Sequence, residues 1–259
     1  MALVDASPSN EVERDHALIR ALTLTYGVVA YCLFLATFLY TIAWTGGALL
    51  PTTIDDGVAG SGARGAVVNI LLLGLFGLQH TVMARPAFKQ WWTSFVPEQI
   101  ERSTFVLTTC AILALLFWQW RSFPTEVWRF EGAAAIALHV LFFVGFGIVL
   151  ISTFLIDHFH LFGVKQTLMY ARGHKTPEPV FLERLFYRYV RHPLMLGFMI
   201  AFWAAPVMTM GHLLFATVTT AYILLALAIE EQTLRELHGK AYEDYCRRVP
   251  KLIPRFRSS

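Results

Sequence analysis

Charged residues are scarce in this sequence. Only 15% of its 259 residues are Asp, Glu, Lys or Arg, whereas an ordinary soluble domain carries about 25%. A chain of this size therefore lacks the polar groups that would cover a surface facing water on all sides. Cysteine is scarce as well, and the three cysteines are too scattered for a disulfide framework or a metal-binding spacing. No feature of the sequence indicates a bound metal or a nucleic-acid partner.

Apolar residues dominate instead, at 56% of the chain. Four apolar runs fit helices that cross the bilayer, which takes about 20 residues: 21–44, 67–83, 105–120 and 133–156. A fifth apolar region, 194–229, is too long for one span and is interrupted at Pro206–His212, where proline and glycine predict a turn. We interpret this region as a helical hairpin with two arms of about 16 residues each. The sequence thus predicts an all-α, polytopic membrane bundle of four long spans and a C-terminal hairpin.

Lysine and arginine indicate the orientation of the bundle. If the N-terminus is cytoplasmic and the spans alternate, 18 of the 21 Lys and Arg residues fall on the cytoplasmic side. Such an excess is typical of cytoplasmic loops. The chain then divides into N-terminal transmembrane helices over 1–156 and a region over 157–259 that contains the hairpin and the predicted cofactor site.

Two segments beside the hairpin predict short amphipathic helices at the membrane surface. Glu178–Arg191 has apolar residues on one helical face and charged residues on the other. It should break near His192, because the residue before Pro193 is pushed away from helical geometry. Lys240–Arg248 is predicted as the second helix, after a stop at Gly239.

The hairpin predicts where a polar site lies. Because a hairpin returns to the side from which it started, His192–Pro193 and Glu230–Glu231 should emerge close together. A broken helix leaves backbone N–H and C=O groups free, and the second arm supplies two carboxylates. Together they predict a site for a polar, cationic small molecule at the membrane edge.

Three motifs of this region occur in a recognisable order: R-H-P-L-M-L-G at 191–197, E-E-Q-T-L at 230–234, and G-K-A-Y with V-P-K-L-I-P at 239–254. Over 187–254 the chain resembles the C-terminal part of isoprenylcysteine carboxyl methyltransferases, integral membrane enzymes that use S-adenosylmethionine. The resemblance implies that this donor is the cofactor. It also implies the following cofactor-binding residues: Tyr189, Arg191, His192, Pro193, Leu194, Met195, Gly197, Glu230 and Glu231.

The sequence departs from that pattern at two places. Met195 stands where those enzymes have a tyrosine. The arginine that they carry shortly before the glutamate pair, which looks like an anchor for a substrate carboxylate, is absent from 224–229. Both departures argue against a carboxylate as the methyl acceptor.

Two upstream motifs point to a different branch of the same family. The segments G-L-Q-H-T-V-M-A-R-P at 77–86 and D-H-F-H-L-F-G at 157–163 resemble the branch that contains bacterial methanethiol S-methyltransferases and the nuclear-envelope protein nurim. This resemblance implies methylation of a small volatile thiol, methanethiol, to dimethyl sulfide at a bacterial inner membrane, with the active site facing the cytoplasm. Three alternatives stay open: a carboxyl methyltransferase, a reductase of the sterol-reductase kind that binds a nicotinamide cofactor, and a non-enzymatic protein of the nurim kind.

Polar residues in these upstream motifs are the candidates for the acceptor side. His80, Asp157 and His158 are predicted to be catalytic, because ionisable residues at membrane depth are functional candidates. An Asp beside histidines could form a proton-accepting pair in which the carboxylate raises a histidine pKa. Gln79 and His160 are predicted to contact the substrate. The competing interpretation is that these residues only mark the membrane boundary or form interhelical hydrogen bonds.

Overall fold

The structure, a computed structural model, describes residues 8–47, 50–60, 62–177 and 185–254. Its helices are α1 (Pro8–Thr45), α2 (Gly62–Ala84), α3 (Pro86–Trp92), α4 (Glu98–Gln119), α5 (Gly132–Ile156), α6 (His158–Leu161), α7 (Val164–Ala171), α8 (Pro193–Trp203), α9 (Met210–His238) and α10 (Lys240–Arg248). Four short strands are β1 (Val58–Ala59), β2 (Arg121–Ser122), β3 (Glu126–Arg129) and β4 (Val207–Thr209).

Five of these helices are long and apolar enough to cross a membrane: α1, α2, α4, α5 and α9. They carry large apolar side chains on the outside of the bundle, such as Leu71, which is 66% exposed, and Phe143, which is 62% exposed. Contiguous exposed apolar surface of this kind faces lipid rather than water. The protein is therefore a polytopic membrane helical bundle, as the apolar runs predict.

The C-terminal hairpin has unequal arms. Its first arm, α8, has only 11 residues and rises about 16 Å, roughly half the thickness of the hydrocarbon core. Its second arm, α9, has 29 residues. The predicted turn is present at Pro206, but the prediction of two equal arms is wrong. The chain leaves helical geometry at Ala204, and Val207–Thr209 then pairs with β3 in an antiparallel ladder.

Two glycines set the position of α8 against α5. A Cβ atom on Gly197 would lie 2.7 Å from the carbonyl oxygen of Gly145, and one on Gly145 would lie 2.6 Å from the backbone nitrogen of Ala201. Only glycine permits so close an approach of two helix backbones, as small residues do in other membrane bundles. The N-terminus of α8 is thereby held firmly beside α5.

Polar contacts distinguish the two ends of the bundle. At one end, Asn69 at the start of α2 donates to the carbonyl of Arg121 at 2.8 Å, and the Trp120 indole donates to the carbonyl of Ile54 at 3.0 Å. At the other end, Arg102 at the start of α4 donates to the carbonyl of Leu161, just beyond α5, at 2.6 Å. This second end also joins the start of α8 to the C-terminal part of α9, and it carries the candidate site.

The predicted surface helices have different outcomes. Residues 178–184 of the first lie outside the described residues, and the remainder forms one 3-10 turn at Leu185–Arg188 rather than a helix reaching Arg191. His192 is non-helical and Pro193 opens α8, so the predicted break is confirmed. Gly239, with φ of 51°, ends α9, and α10 has the predicted bounds.

Candidate active site

A buried ion pair lies where α8 begins. The Arg191 side chain donates from Nε and Nη2 to Oε1 of Glu231, at 2.9 and 2.6 Å, and the two side chains are 9% and 4% exposed. Oε2 of the same carboxylate lies 3.1 Å from Nζ of Lys251 and 3.7 Å from the guanidinium of Arg235. Both oxygens of Glu231 are thus occupied by cations of the protein itself.

His192 completes this cluster. Its Nε2 donates to Oε1 of Glu231 at 3.1 Å, because a carboxylate can only accept. Burial lowers the pKa of His192, and the neighbouring Glu231 carboxylate offsets this only in part. Nδ1 of the ring faces the second carboxylate, with Oε2 of Glu230 at 3.8 Å.

The same arginine fastens the C-terminal segment to the hairpin. Nη1 of Arg191 donates to the carbonyl oxygens of Val249 at 2.6 Å and Cys246 at 3.2 Å, at the end of α10. The backbone N–H groups of Arg191 and His192 donate to the carbonyls of Pro250 and Lys251. The predicted convergence of the R-H-P segment with the glutamate pair is confirmed. Lys251 was missed, although it lies within the V-P-K-L-I-P motif.

The two glutamates have different environments. Glu231 is 4% exposed and fully engaged, whereas the side chain of Glu230 is 50% exposed. Among the described residues, His192 at 3.8 Å is the only ion-pair partner of Glu230. Glu230 is therefore the carboxylate of the pair that remains accessible to a ligand.

The other predicted cofactor-binding residues surround the start of α8. Tyr189 is 65% exposed just before it, and Pro193 is buried in its first turn. Leu194 and Met195 are half-buried in the same turn. Gly197 is explained by its contact with α5, without any ligand.

Asp157 binds a lysine rather than a histidine ring. Its carboxylate forms an ion pair with Lys165 and accepts the backbone N–H of His160 at 3.2 Å. Burial alone would raise the pKa of Asp157, but the Lys165 ammonium and the His160 N–H hold it below its usual range. Burial lowers the pKa of both His158 and His160, and the charge of Asp157 offsets this only in part at His160. The catalytic role of these residues stays a prediction.

His158 has both ring nitrogens in hydrogen bonds. The Thr153 hydroxyl donates its single hydrogen to the carbonyl of Leu150 at 2.6 Å. It can therefore only accept from Nδ1 of His158, at 2.8 Å. Nε2 then accepts from the Tyr31 hydroxyl, also at 2.8 Å. The ring is 3% exposed and stacks on Phe154. This arrangement fixes a neutral histidine that joins α1 to the end of α5.

His80, unlike His158, has a ring nitrogen without a hydrogen-bond partner. Its ring lies 5.4 Å from that of Phe76 and 5.0 Å from that of Phe105, and its Nδ1 is buried with no hydrogen-bond partner. Gln79 turns towards Met83 and accepts from the Thr109 hydroxyl at 3.3 Å. Buried polar atoms are nearly always paired, so an unpaired ring nitrogen calls for a functional explanation.

One hydrogen bond links the two halves of the site. Thr81, the neighbour of His80 in α2, lies 3.2 Å from the hydroxyl of Tyr222 in α9. Eight residues further along α9, about 12 Å at helical rise, is Glu230. The His80 region and the glutamate pair therefore lie on adjacent helices at the same end of the bundle.

Comparison with known proteins places the chain in a family. A family model described as NnrU protein matches residues 68–249. A methanethiol S-methyltransferase of Mycobacterium tuberculosis is 49% identical over 236 residues, which are 91% of this chain and 97% of that protein. The chain belongs to this family. A methanethiol S-methyltransferase of Crocosphaera subtropica is 44% identical over 92% of the chain and 93% of its own length.

Nurim, a more distant relative, is not named after an enzymatic activity. Nurim of Rattus norvegicus is 29% identical over 66% of this chain and 69% of its own length. No solved structure matches the chain. The family match covers both the His80 region and the cluster around Glu231.

Proposed function

We propose that this protein transfers a methyl group from S-adenosylmethionine to a small thiol, methanethiol, and releases dimethyl sulfide. The names of its relatives support the reaction, and the relationship extends over nearly the whole chain. The observation that carries the proposal is the pair of carboxylates, Glu230 and Glu231, which lie beside the non-helical residue His192 at the start of α8 and have different surroundings. One is neutralised within the protein and the other is left for a cationic ligand.

The residues present fit such a donor. S-adenosylmethionine carries positive charge on its sulfonium and ammonium groups, and the half-exposed carboxylate of Glu230 is suited to bind a cation. Tyr189, largely exposed just before α8, offers an aromatic face to a cation or an adenine ring. Arg191, His192 and Glu231 then hold α8, α9 and the C-terminal segment in the arrangement that presents Glu230.

The donor, when bound, supplies a methyl group on a positively charged sulfur. Methyl transfer is an in-line displacement, so the protein contributes by aligning the acceptor and by excluding water. A thiolate attacks far better than a thiol, and a group that removes the thiol proton therefore accelerates the step. His80, with a buried nitrogen free to accept, is the proposed base, and Gln79 and His160 flank the acceptor. Asp157 and His158 are proposed to position the segment between α5 and α7.

The proposed site faces the cytoplasm of a bacterial cell, within the inner membrane. The support comes from the sequence: if the spans alternate from a cytoplasmic N-terminus, 18 of the 21 Lys and Arg residues fall on the side of the proposed site. Cysteine-accessibility labelling tests this. A cysteine at Lys89 should react only from the cytoplasmic side, and one at Asp55, at the other end, only from outside. Labelling of both from one side would contradict the topology.

The reaction is tested with purified protein in detergent. Incubation with S-adenosylmethionine and methanethiol should release dimethyl sulfide into the headspace, measured by gas chromatography. S-adenosylhomocysteine should raise the unfolding temperature, while NADPH should leave it unchanged. A thermal shift with NADPH alone, and no dimethyl sulfide, would refute the proposal in favour of a reductase.

A further inference from the structure

Arg102 is a cation inside a membrane helix with an incomplete set of partners. It lies in the second turn of α4, where Nε donates to the carbonyl of Leu161, and its guanidinium carbon lies 4.6 Å from the centre of the Phe105 ring. Among the described residues, no carboxylate oxygen comes within 4.0 Å of this guanidinium. A partly buried cation without a close counter-ion is costly, so its retention needs an explanation.

His80 faces the same aromatic ring. The centre of its imidazole is 5.0 Å from that of Phe105, and the positive charge of Arg102 acts on it. The imidazole of His80, with its unpartnered Nδ1, and the guanidinium of Arg102 therefore both pack against Phe105, and Phe76 also packs against the imidazole.

The surrounding charges leave this region positive. Lys89 is close enough that the charge of Arg102 adds to burial in lowering the Lys89 pKa, which Glu101 opposes only in part. Burial lowers the pKa of His160, and the charges of Arg102 and Lys89 lower it further against the opposing effect of Asp157. Asp157, whose charge acts on His160, forms an ion pair with Lys165. Two cations, Arg102 and Lys89, thus act here against Glu101, which forms no ion pair with Arg102 within 4.0 Å, and this balance favours a small anion.

We propose that Arg102 binds the sulfur of the acceptor as a thiolate and that His80 accepts the proton of the thiol. The inference rests on the proposed function and adds a residue that no sequence motif indicates. The S–H bond breaks and its proton passes to Nδ1 of neutral His80, while Arg102 stabilises the negative sulfur. The sulfur lone pair forms the new S–C bond, and the electrons of the cleaved S–C bond stay on the donor sulfur as a neutral thioether. Arg102 is then a catalytic residue, since it touches the reacting atom.

The test uses two acceptors of different acidity. Arg102→Gln and His80→Gln are assayed with methanethiol and with the more acidic 2,2,2-trifluoroethanethiol, which reaches the thiolate state with less help. We expect kcat/KM for methanethiol to fall by about 10²-fold or more, as for loss of a general base, and the loss with the acidic thiol to be at least about ten times smaller. Affinity for S-adenosylhomocysteine, measured by calorimetry, should stay within about twofold of the unaltered protein.

Two matched controls bracket the result. His139→Gln and Arg64→Gln change the same residue types at exposed positions of α5 and α2, far from the site, and should leave both activities unchanged. Equal losses with the two thiols, unchanged activity, or lost donor affinity would overturn the inference while the proposed function stands. Unaltered protein that forms no dimethyl sulfide overturns both. If Arg102→Gln does not purify as a folded protein, the same comparison of thiols with His80→Gln decides.

Discussion

Replacing Glu231 should damage the fold, and replacing Glu230 should damage donor binding. The two substitutions, Glu231→Gln and Glu230→Gln, remove the same charge from adjacent residues and change side-chain volume very little. Their environments differ: Glu231 receives three hydrogen bonds from Arg191 and His192, whereas Glu230 is half exposed and has one distant partner.

The size of the first effect follows from the buried pair. Without the Glu231 charge, Arg191 stays 9% exposed with no counter-ion, and breaking such a pair costs about 3–5 kcal/mol of unfolding free energy. In a chain of this length, that corresponds to a fall in Tm of about 6–20 °C. Glu230→Gln should change stability by less than about 1 kcal/mol, as exposed charges do. It should instead weaken S-adenosylhomocysteine binding by about 1.5–3 kcal/mol if Glu230 pairs with a charged group of the ligand.

Two measurements on the same preparations separate these effects. Tryptophan fluorescence in detergent gives Tm for each variant, and calorimetric titration with S-adenosylhomocysteine gives its affinity. If Glu231→Gln unfolds at the temperature of the unaltered protein but loses the ligand, while Glu230→Gln binds normally, then Glu231 is the direct contact and the roles assigned here are reversed.

Three further predictions follow from individual contacts. His158→Phe should lower the unfolding free energy by about 1–3 kcal/mol, because Tyr31 and Thr153 lose their hydrogen-bond partner. It should reduce turnover per folded molecule far less than His80→Gln does, which is checked by measuring dimethyl sulfide release normalised to folded protein. Gly197→Ala should lower stability by about 1–3 kcal/mol because its Cβ meets the backbone of α5, whereas Gly147→Ala, with nothing within 4 Å, should not; thermal unfolding of both variants is the measurement. Stability should fall as pH drops below about 6.5, because folding lowers the pKa of His158, His160 and His192. As the pH falls, the unfolded chain therefore binds protons at these histidines before the folded protein does. Unfolding temperatures that stay constant from pH 7.5 to 5.5 would contradict this prediction.

The long helices were predictable because membrane spanning imposes a simple rule on composition. Three of the four apolar runs lie within one helix of the structure, and the fourth, 105–120, extends past α4 only by its last residue, Trp120. The unequal hairpin was not predictable in this way. Ala204 and Ala205 are as apolar as the helix before them, and the strand pairing that ends α8 depends on β3, about 80 residues earlier in the chain.

Local motifs identified the carboxylate cluster but not the roles within it. Glu230 and Glu231 are identical in sequence terms, and only the packing of α9 shows which of them meets Arg191. Similarly, the sequence predicts that Asp157 pairs with a neighbouring histidine. In the structure, Asp157 forms an ion pair with Lys165, and His158 forms a hydrogen bond with the Tyr31 hydroxyl. The sequence did not single out Arg102, because the carbonyl that it binds, at Leu161, lies 59 residues further along the chain.

The short first arm of the hairpin explains how the cluster forms. The indole of Trp203, the last residue of α8, donates to the Thr220 hydroxyl of α9 at 2.9 Å and so fixes the two helices at one level. From that level, His192 is eleven residues back along the chain and Glu231 is eleven residues forward. Both distances correspond to about 16 Å at helical rise, in the same direction because the helices are antiparallel. The early end of α8 therefore brings His192 level with Glu231, and an arm of the predicted 16 residues would have carried the R-H-P segment past the carboxylates that it binds.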